Sequence, residues 1–135
     1  EREKLLKQID ALGLKDSVRL VGRVTDEELV QIYNMSEVLL YPSRNEGFGL
    51  PIIQAMACGV PVVASNETAV PEIVGDGGVI MDVDDIKGMT SKCLEVIWDK
   101  EKKQYWRTKG LNRVKSFSWN DAAYQVMDVY DKVTT

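Results

Sequence analysis

Two short runs of the sequence, Val38 to Tyr41 and Val60 to Ala64, are apolar throughout instead of alternating with polar residues. Such runs are typical of parallel strands that helices cover on both faces. The segment from Gly77 to Val83 predicts the last strand of the chain. The β-branched, alternating pattern of Val18 to Gly22 predicts a further short strand near its start.

Apolar residues at helical spacing separate these predicted strands. Thr25 and Glu28 have the spacing of a capping box and predict that a helix begins there, with Tyr33 on its buried face. The other predicted helices cover residues 2–12, Pro51 to Gly59, a short turn from Pro71, residues 84–100, a basic stretch from Lys100, and residues 119–133, the last with Ala123, Val126, Met127 and Tyr130 inward. Because strands and helices alternate, we expect an α/β fold in which a parallel sheet lies between helices, as in a Rossmann-like three-layer sandwich.

The composition predicts one soluble globular domain covering residues 1–135, since 44% of the residues are hydrophobic and 28% are charged. The net charge of −4 argues against nucleic acid as a general partner. No apolar run approaches the ~20 residues of a membrane span, and the charged start does not resemble a signal peptide, so we expect a cytoplasmic location. The chain has no histidine, so no metal site is predicted, and any general base is a carboxylate or comes from elsewhere.

The segment between the first two apolar runs has the chemistry of a ligand-binding loop. Gly47 and Gly49 allow unusual backbone dihedrals and close approach of a ligand. Pro51 suits the first turn of a helix, whose free N–H groups and positive dipole end favour a phosphate. Glu46 lies beside this anion site, where a carboxylate is better suited to accept hydrogen bonds from ligand hydroxyls. Phosphate and hydroxyls together indicate a nucleotide or a nucleotide sugar, bound at the carboxyl ends of the strands.

The sequence Glu46-Gly-Phe-Gly-Leu-Pro, followed by Ala-Met-Ala-Cys-Gly-Val-Pro-Val-Val-Ala-Ser, resembles the donor-site signature of retaining glycosyltransferases of family 4, which have two Rossmann-like domains (the GT-B architecture). The family motif is E-x7-E. Glu46 matches the first acid, which the resemblance places at the hydroxyls of the transferred sugar as the catalytic carboxylate. Gln54 stands where the second, ribose-binding acid is expected, and an amide makes a weaker bond than a carboxylate.

The resemblance also implies the other binding residues and the reaction. Donor contacts would come from the backbone of Gly47, Phe48, Gly49 and Leu50, and nucleobase contacts from the turn at Arg23 and Val24. The implied reaction transfers a hexose from a nucleotide sugar to a glycan or lipid-linked acceptor, with retained configuration and without a metal or other cofactor. The resemblance covers the C-terminal donor-binding domain of the family without its first two strand-helix units, so we expect the chain alone to be inactive as a transferase and to require an N-terminal acceptor domain.

A sheet that is incomplete at its N-terminal side has an unpaired strand edge. In the strand order 3-2-1-4-5-6, the strand at Val18 to Gly22 would lie beside a strand that this chain lacks. An open edge exposes unpaired backbone groups. We therefore expect this segment to pair directly with Val38 to Tyr41, or with a second copy of the chain.

Three further interpretations stay open at this stage. The basic helix after Lys100 could dock on the inner face of a membrane, although scattered lysines are also typical of a solvated face. The chain could be a non-catalytic nucleotide-binding or interaction module, with Gln54 as one sign of lost activity. It could also belong to a nucleotide-sugar epimerase of related architecture.

Overall fold

The computed structural model describes residues 2–134, in which seven helices and three strands alternate along most of the chain. The elements in order are α1 (Arg2–Ala11), α2 (Asp26–Met35), β1 (Leu39–Tyr41), α3 (Leu50–Ala57), β2 (Val62–Ser65), α4 (Val70–Val74), β3 (Val79–Met81), α5 (Ile86–Trp98), α6 (Lys100–Val114) and α7 (Trp119–Thr134). The capping box predicted at the start of α2 is confirmed: the backbone N–H of Glu28 donates to Thr25 Oγ1 at 3.3 Å, and the N–H of Thr25 donates to Glu28 Oε2 at 2.8 Å.

The strands form a parallel sheet in the order β1-β2-β3. Leu39 pairs with Val62, and Val63 pairs with Val79. The predicted α/β architecture with a parallel sheet is therefore confirmed. Because all three strands run in the same direction, their carboxyl ends meet at one edge, where the loops that follow them lie close together.

The core is built around β2 and the helix that precedes it. All four residues of β2 are buried, since this central strand has a neighbour on each side and helices above and below. Helix α3 contributes Ile52, Ala55 and Met56, which are fully buried. Helix α6 packs on α3 at Gly110, where an added Cβ would lie 3.2 Å from Met56 Cγ. The helix that follows the glycine-rich loop is thus anchored in the buried core.

The prediction of a strand from Val18 to Gly22 is wrong. Within residues 2–134 this segment forms no regular structure and does not pair with β1, so the expected rearrangement is wrong as well. Val18 and Val21 are exposed. The β-branched residues give the segment a preference for extended backbone, but a strand is stable only when a neighbour satisfies its hydrogen bonds and a packed layer covers one face. Pairing with a second copy stays a prediction.

The inward face predicted for the last helix is also wrong. Helix α7 has no buried residue, and Val126, Met127 and Tyr130 are 52%, 59% and 66% exposed; Ala123 is exposed too. Its apolar positions do recur at helical spacing, but no other element of the described chain covers them. The sequence pattern shows which residues share the apolar face of a helix, but it does not show whether another element packs against that face.

Among the described residues, no helix combines the length and the hydropathy required to cross a bilayer.

Candidate functional site

Three loops meet at the carboxyl edge of the sheet, and side chains connect the first loop to the other two. The loop after β1 covers residues 42–49, the loop after β2 residues 66–69, and the loop after β3 residues 82–85. Buried Ser65, the last residue of β2, donates its hydroxyl to the carbonyl oxygen of Ser43 at 2.5 Å, which joins the first loop to the end of β2. Arg44 forms an ion pair with Asp84, which joins the first loop to the third. The glycine-rich loop is therefore held on both sides.

Glu46, the predicted catalytic carboxylate, is half-buried in the first loop and has a partner at each carboxylate oxygen. The Tyr41 hydroxyl donates to Oε2, and the backbone N–H of Gly49 donates to Oε1 at 3.2 Å. The hydrogen bond from Tyr41 is the main reason that the pKa of Glu46 lies below its ordinary value, and loop amides lower it further. Burial, and next the bond to Glu46, raise the pKa of Tyr41 to about 12. At neutral pH the pair is therefore an ionised carboxylate and a protonated phenol.

The main chain of Glu46 is held by the loop after β2. Thr68 Oγ1 accepts the N–H of Glu46 at 3.0 Å and donates to the carbonyl oxygen of Glu46 at 3.1 Å. Thr68 has a φ of 48°, in the left-handed region. Neither Thr68 nor Tyr41 was predicted as part of the site. Tyr41 could have been suspected from its place at the end of a strand before the loop, whereas nothing in the sequence around Thr68 indicates this contact.

Gly49 lies at the start of α3 with a φ of 87°, a conformation that glycine tolerates and other residues rarely adopt. Pro51 follows in the first turn, as predicted. The amides of Gly47, Phe48 and Gly49 all lower the pKa of the Glu46 carboxyl. In this structure, the loop amides predicted to bind a phosphate therefore act on Glu46, and the negative charge lies near the positive end of the α3 dipole.

Phe48 and Leu50 have exposed side chains on the other side of this loop. They line an open cleft of about 290 Å³ that continues to Phe117 and Trp119. The rings of Phe48 and Phe117 meet edge to face, with their centroids 6.4 Å apart. Because these side chains lie in the cleft, the predicted donor contacts of Phe48 and Leu50 would be made by their backbone.

Gln54 is exposed one turn into α3, and its side chain faces Tyr33 of α2. The Tyr33 hydroxyl can donate to either of two oxygens. It lies 3.2 Å from the carbonyl oxygen of Pro51 and 3.5 Å from Gln54 Oε1. Burial raises the pKa of Tyr33, so the phenol is a donor at neutral pH. Tyr33 was predicted only as a buried residue of α2, and its contact with Gln54 is a second feature that the sequence did not indicate.

Arg23 and Val24 follow Gly22, which has a φ of 77°. Arg23 is exposed and Val24 is half-buried next to the capping box of α2. Within residues 2–134, neither residue makes a hydrogen bond or an ion pair to the loop that carries Glu46. The structure therefore brings Glu46, Gly47, Phe48, Gly49, Leu50 and Gln54 together on one loop and helix, and does not connect Arg23 and Val24 to them. No group of three His, Cys, Asp or Glu side chains that could hold a metal ion occurs in the described part of the chain.

Comparisons with known proteins identify a family, relatives and solved structures to which the chain is similar. The sequence model described as glycosyl transferases group 1 matches residues 1–113. O-antigen chain mannosyltransferase B of Escherichia coli is 38% identical over 129 residues, which are 95% of this chain and 34% of that protein. The chain thus spans about a third of the length of this relative.

Two solved structures share the fold. Sucrose-phosphate synthase from Thermosynechococcus elongatus superposes with a TM-score of 0.89 at 27% identity, over 98% of this chain and 34% of that one. Anabaena Alr3699/HepE in complex with UDP superposes with a TM-score of 0.85 at 24% identity, over 96% of this chain and 36% of that one. Both matches cover almost all of this chain and about a third of the larger protein.

Proposed function

Because this chain belongs to the glycosyl transferases group 1 family, we propose that it is the donor-binding part of a retaining hexosyltransferase. The observation that carries the proposal is the Glu46 carboxylate, which is ionised and fixed at both oxygens at the carboxyl edge of a parallel sheet. A carboxylate has about four acceptor positions. Tyr41 and Gly49 donate to two of them, and we propose that hydroxyl groups of a sugar bind at the remaining positions, which lie near the amides of Gly47 and Phe48.

The proposed donor is a nucleoside diphosphate sugar. The structural neighbour that is in complex with UDP supports a nucleotide, and the similarity to a mannosyltransferase supports a hexose. In this proposal Glu46 orients the sugar, the backbone of Gly47 to Leu50 lies along the donor, and Gln54 accepts or donates at the ribose. Arg23 and Val24 are proposed to contact the base. We propose that the acceptor is a glycan or a lipid-linked molecule, and that the protein acts in the cytoplasm at the inner face of a membrane.

The proposed chemistry uses no metal or other cofactor. Helix N-termini and basic side chains stabilise the diphosphate, and the leaving phosphate itself takes the proton of the acceptor hydroxyl. This assignment suits a chain without histidine, in which Glu46 serves as an acceptor of hydrogen bonds and not as a proton shuttle. The acceptor-binding domain and further diphosphate contacts are proposed to come from outside these residues, so that the chain alone binds the donor without transferring the sugar.

Calorimetry with GDP-mannose, UDP-glucose and ADP-glucose tests the proposal. We expect one of these donors to bind, and Glu46→Gln to weaken its binding roughly ten- to a hundredfold, because a charged hydrogen bond to the sugar is lost. Binding of the matching nucleoside diphosphate should change little. Glu101→Gln, which alters an exposed carboxylate on α6, is the control. If the wild-type chain bound none of the three donors, or if Glu46→Gln bound them as tightly, the proposal would be wrong.

A second candidate function, a non-catalytic interaction module that kept the fold and lost its donor site, is favoured by one observation. Gln54 stands at the position of the expected second acid, and its carbonyl oxygen lies 3.5 Å from the Tyr33 hydroxyl. The variant Gln54→Glu separates the two candidates. In a working donor site the new carboxylate should tighten nucleotide binding, whereas in a module that has lost its donor site neither residue should support binding.

A further inference from the structure

Thr68 adopts a backbone conformation that its residue type disfavours. Among residues 2–134, Thr68 is the one residue other than glycine with a positive φ. For a β-branched residue this conformation is an outlier, because Cβ crowds the neighbouring carbonyl group. Residues held in such conformations persist when surrounding contacts determine them, and they are concentrated at functional sites.

Both hydrogen bonds of the Thr68 side chain go to one residue. Its hydroxyl accepts the N–H of Glu46 at 3.0 Å and donates to the carbonyl oxygen of Glu46 at 3.1 Å, across a separation of 22 residues in the chain. One hydroxyl can serve as donor and acceptor at the same time. Both polar groups of the Glu46 main chain are thereby fixed, as they would be by a neighbouring strand.

Capping of α4 does not explain this hydroxyl. The cap position of α4 is Ala69, no side-chain cap occurs there, and the first turn is closed by the backbone N–H of Ile73, which donates to the carbonyl oxygen of Ala69 at 3.2 Å. A threonine that served the helix would accept a bond from an N–H of its first turn. The Thr68 hydroxyl instead contacts the loop after β1.

Glu46 is consequently held at both ends. Thr68 fixes its main chain, and Tyr41 and Gly49 fix its carboxylate oxygens. A carboxylate attached to an exposed loop has several rotamers, and each displaces its oxygens by ångströms from the position that a bound ligand requires. Fixing the main chain limits the positions that the carboxylate can reach.

We infer that Thr68 is a positioning residue, whose hydroxyl fixes the Glu46 peptide so that the carboxylate faces the sugar of the bound donor. This inference rests on the proposed function, since it assigns to Glu46 the contact with the sugar. Thr68 itself acts through Glu46 and touches no reacting atom. Its effect should therefore fall on recognition of the sugar and leave recognition of the nucleotide unchanged.

The test compares Thr68→Val, which removes the hydroxyl and keeps the β-branched shape, with Thr68→Ser, which keeps the hydroxyl. Thr90→Val is the matched control, because Thr90 is exposed on α5 and its hydroxyl bonds only to its own helix, at Ile86. We expect Thr68→Val to bind the sugar nucleotide roughly three- to tenfold more weakly, because both hydrogen bonds to the Glu46 main chain are lost and the carboxylate is less well oriented toward the sugar. The affinity for the corresponding nucleoside diphosphate should be unchanged, and Thr68→Ser should restore binding.

A second readout does not depend on any ligand. Titration of the Glu46 carboxyl by NMR should show that its pKa rises toward the ordinary value in Thr68→Val and stays low in Thr68→Ser and Thr90→Val. If the valine variant does not fold, the pKa of Glu46 can be measured in Thr68→Gly instead. This variant also lacks the hydroxyl, and glycine is not strained at positive φ.

The outcomes separate the two proposals. If the wild-type chain binds no sugar nucleotide, the proposed function fails together with the sugar-recognition part of the inference, and the titration still decides whether Thr68 positions Glu46. If the chain binds sugar nucleotides and Thr68→Val changes neither the titration nor the ratio of the two affinities, the inference fails while the proposed function stands. Equal weakening of both ligands would assign Thr68 a purely structural role and would also overturn the inference.

Discussion

Strand β2 and helix α7 are the two extremes of burial in this chain. All four residues of β2 are buried, with α3, α4 and the two other strands around them. Helix α7 has sixteen residues and none of them is buried, although its apolar positions are as regular as those of any helix in the molecule. The loops that carry the candidate site follow the buried strand and its neighbours, and they are connected to one another by Ser65, Thr68 and Arg44.

The contrast teaches that apolar periodicity and burial are separate properties. A buried strand gains stability from every neighbour that excludes water from it, at about 25 cal/mol per Å² of apolar surface. An apolar helix face without a neighbour gains nothing from the same side chains. We therefore expect Glu46 to have a well-defined position, because the core anchors the backbone of its loop. We expect substitutions of side chains on α7 to have little effect on stability.

The largest effect is expected from Ile52→Ala, which removes a fully buried side chain in α3 directly behind the loop. The free energy of unfolding should fall by about 2–5 kcal/mol, because both transfer energy and packing are lost. Ile86→Ala, at a position of α5 that is 74% exposed, is the matched control and should change it by less than about 0.5 kcal/mol. Urea denaturation measures both values, and equal losses for the two variants would contradict the assigned core.

A smaller effect is expected from Ser65→Ala at the end of β2. The substitution leaves the carbonyl oxygen of Ser43 without the hydroxyl that now lies 2.5 Å away, and should destabilise the chain by about 1–3 kcal/mol. Ser91→Ala, on the exposed face of α5, is the control. The same denaturation measurement applies, and a Ser65→Ala variant as stable as the wild type would show that the loop after β1 does not depend on this bond.

Tyr41→Phe should act on ionisation more than on stability. It removes the main cause of the lowered pKa of Glu46, so that pKa should rise toward its ordinary value. The pKa of Glu46 is lower in the folded state than in the unfolded state. Its contribution to stability is therefore present above its pKa in the unfolded state and is lost as pH falls through its pKa in the folded state. The variant should therefore lose less stability on acidification. NMR titration with Tyr124→Phe as control checks this, and an unchanged pKa of Glu46 would contradict the assigned hydrogen bond.

The smallest effect is expected on α7. Met127→Ala should change the free energy of unfolding of this chain by less than about 0.5 kcal/mol, since the side chain is 59% exposed. A loss of about 2 kcal/mol or more would mean that something covers this face in solution, because that is the range of buried methionine substitutions. Measuring the effect at two protein concentrations distinguishes a second copy of the chain from an internal contact, since association depends on concentration.

Much of the fold could be predicted because it depends on local rules. Unbroken apolar runs indicated β1 and β2, and Thr25 with Glu28 marked the start of α2 by a capping box that the structure confirms. The prediction failed for Val18 to Gly22, because strand formation requires a partner and local preference cannot supply one. It failed again for the face of α7, because burial depends on what packs against a helix.

The candidate site was predictable to a similar extent. Glycines, proline and a neighbouring acid identified the loop from 46 to 50 because unusual backbone angles and a helix N-terminus require those residue types. The roles of Tyr41, Thr68 and Tyr33 were not predicted, since each contact joins residues that are 5 to 22 positions apart and depends on how the loops and helices meet.

The sequence by itself determined the α/β class, the position of the glycine-rich loop at the end of a parallel strand, and the acid within it, because these follow from periodicity and from the conformational limits of single residue types. The tertiary structure alone decided which groups hold Glu46, which apolar faces are covered and whether an extended segment becomes a strand. Those outcomes are decided by contacts between segments that are distant in the chain, and a hydrogen bond or a buried surface exists only once both partners have been brought together.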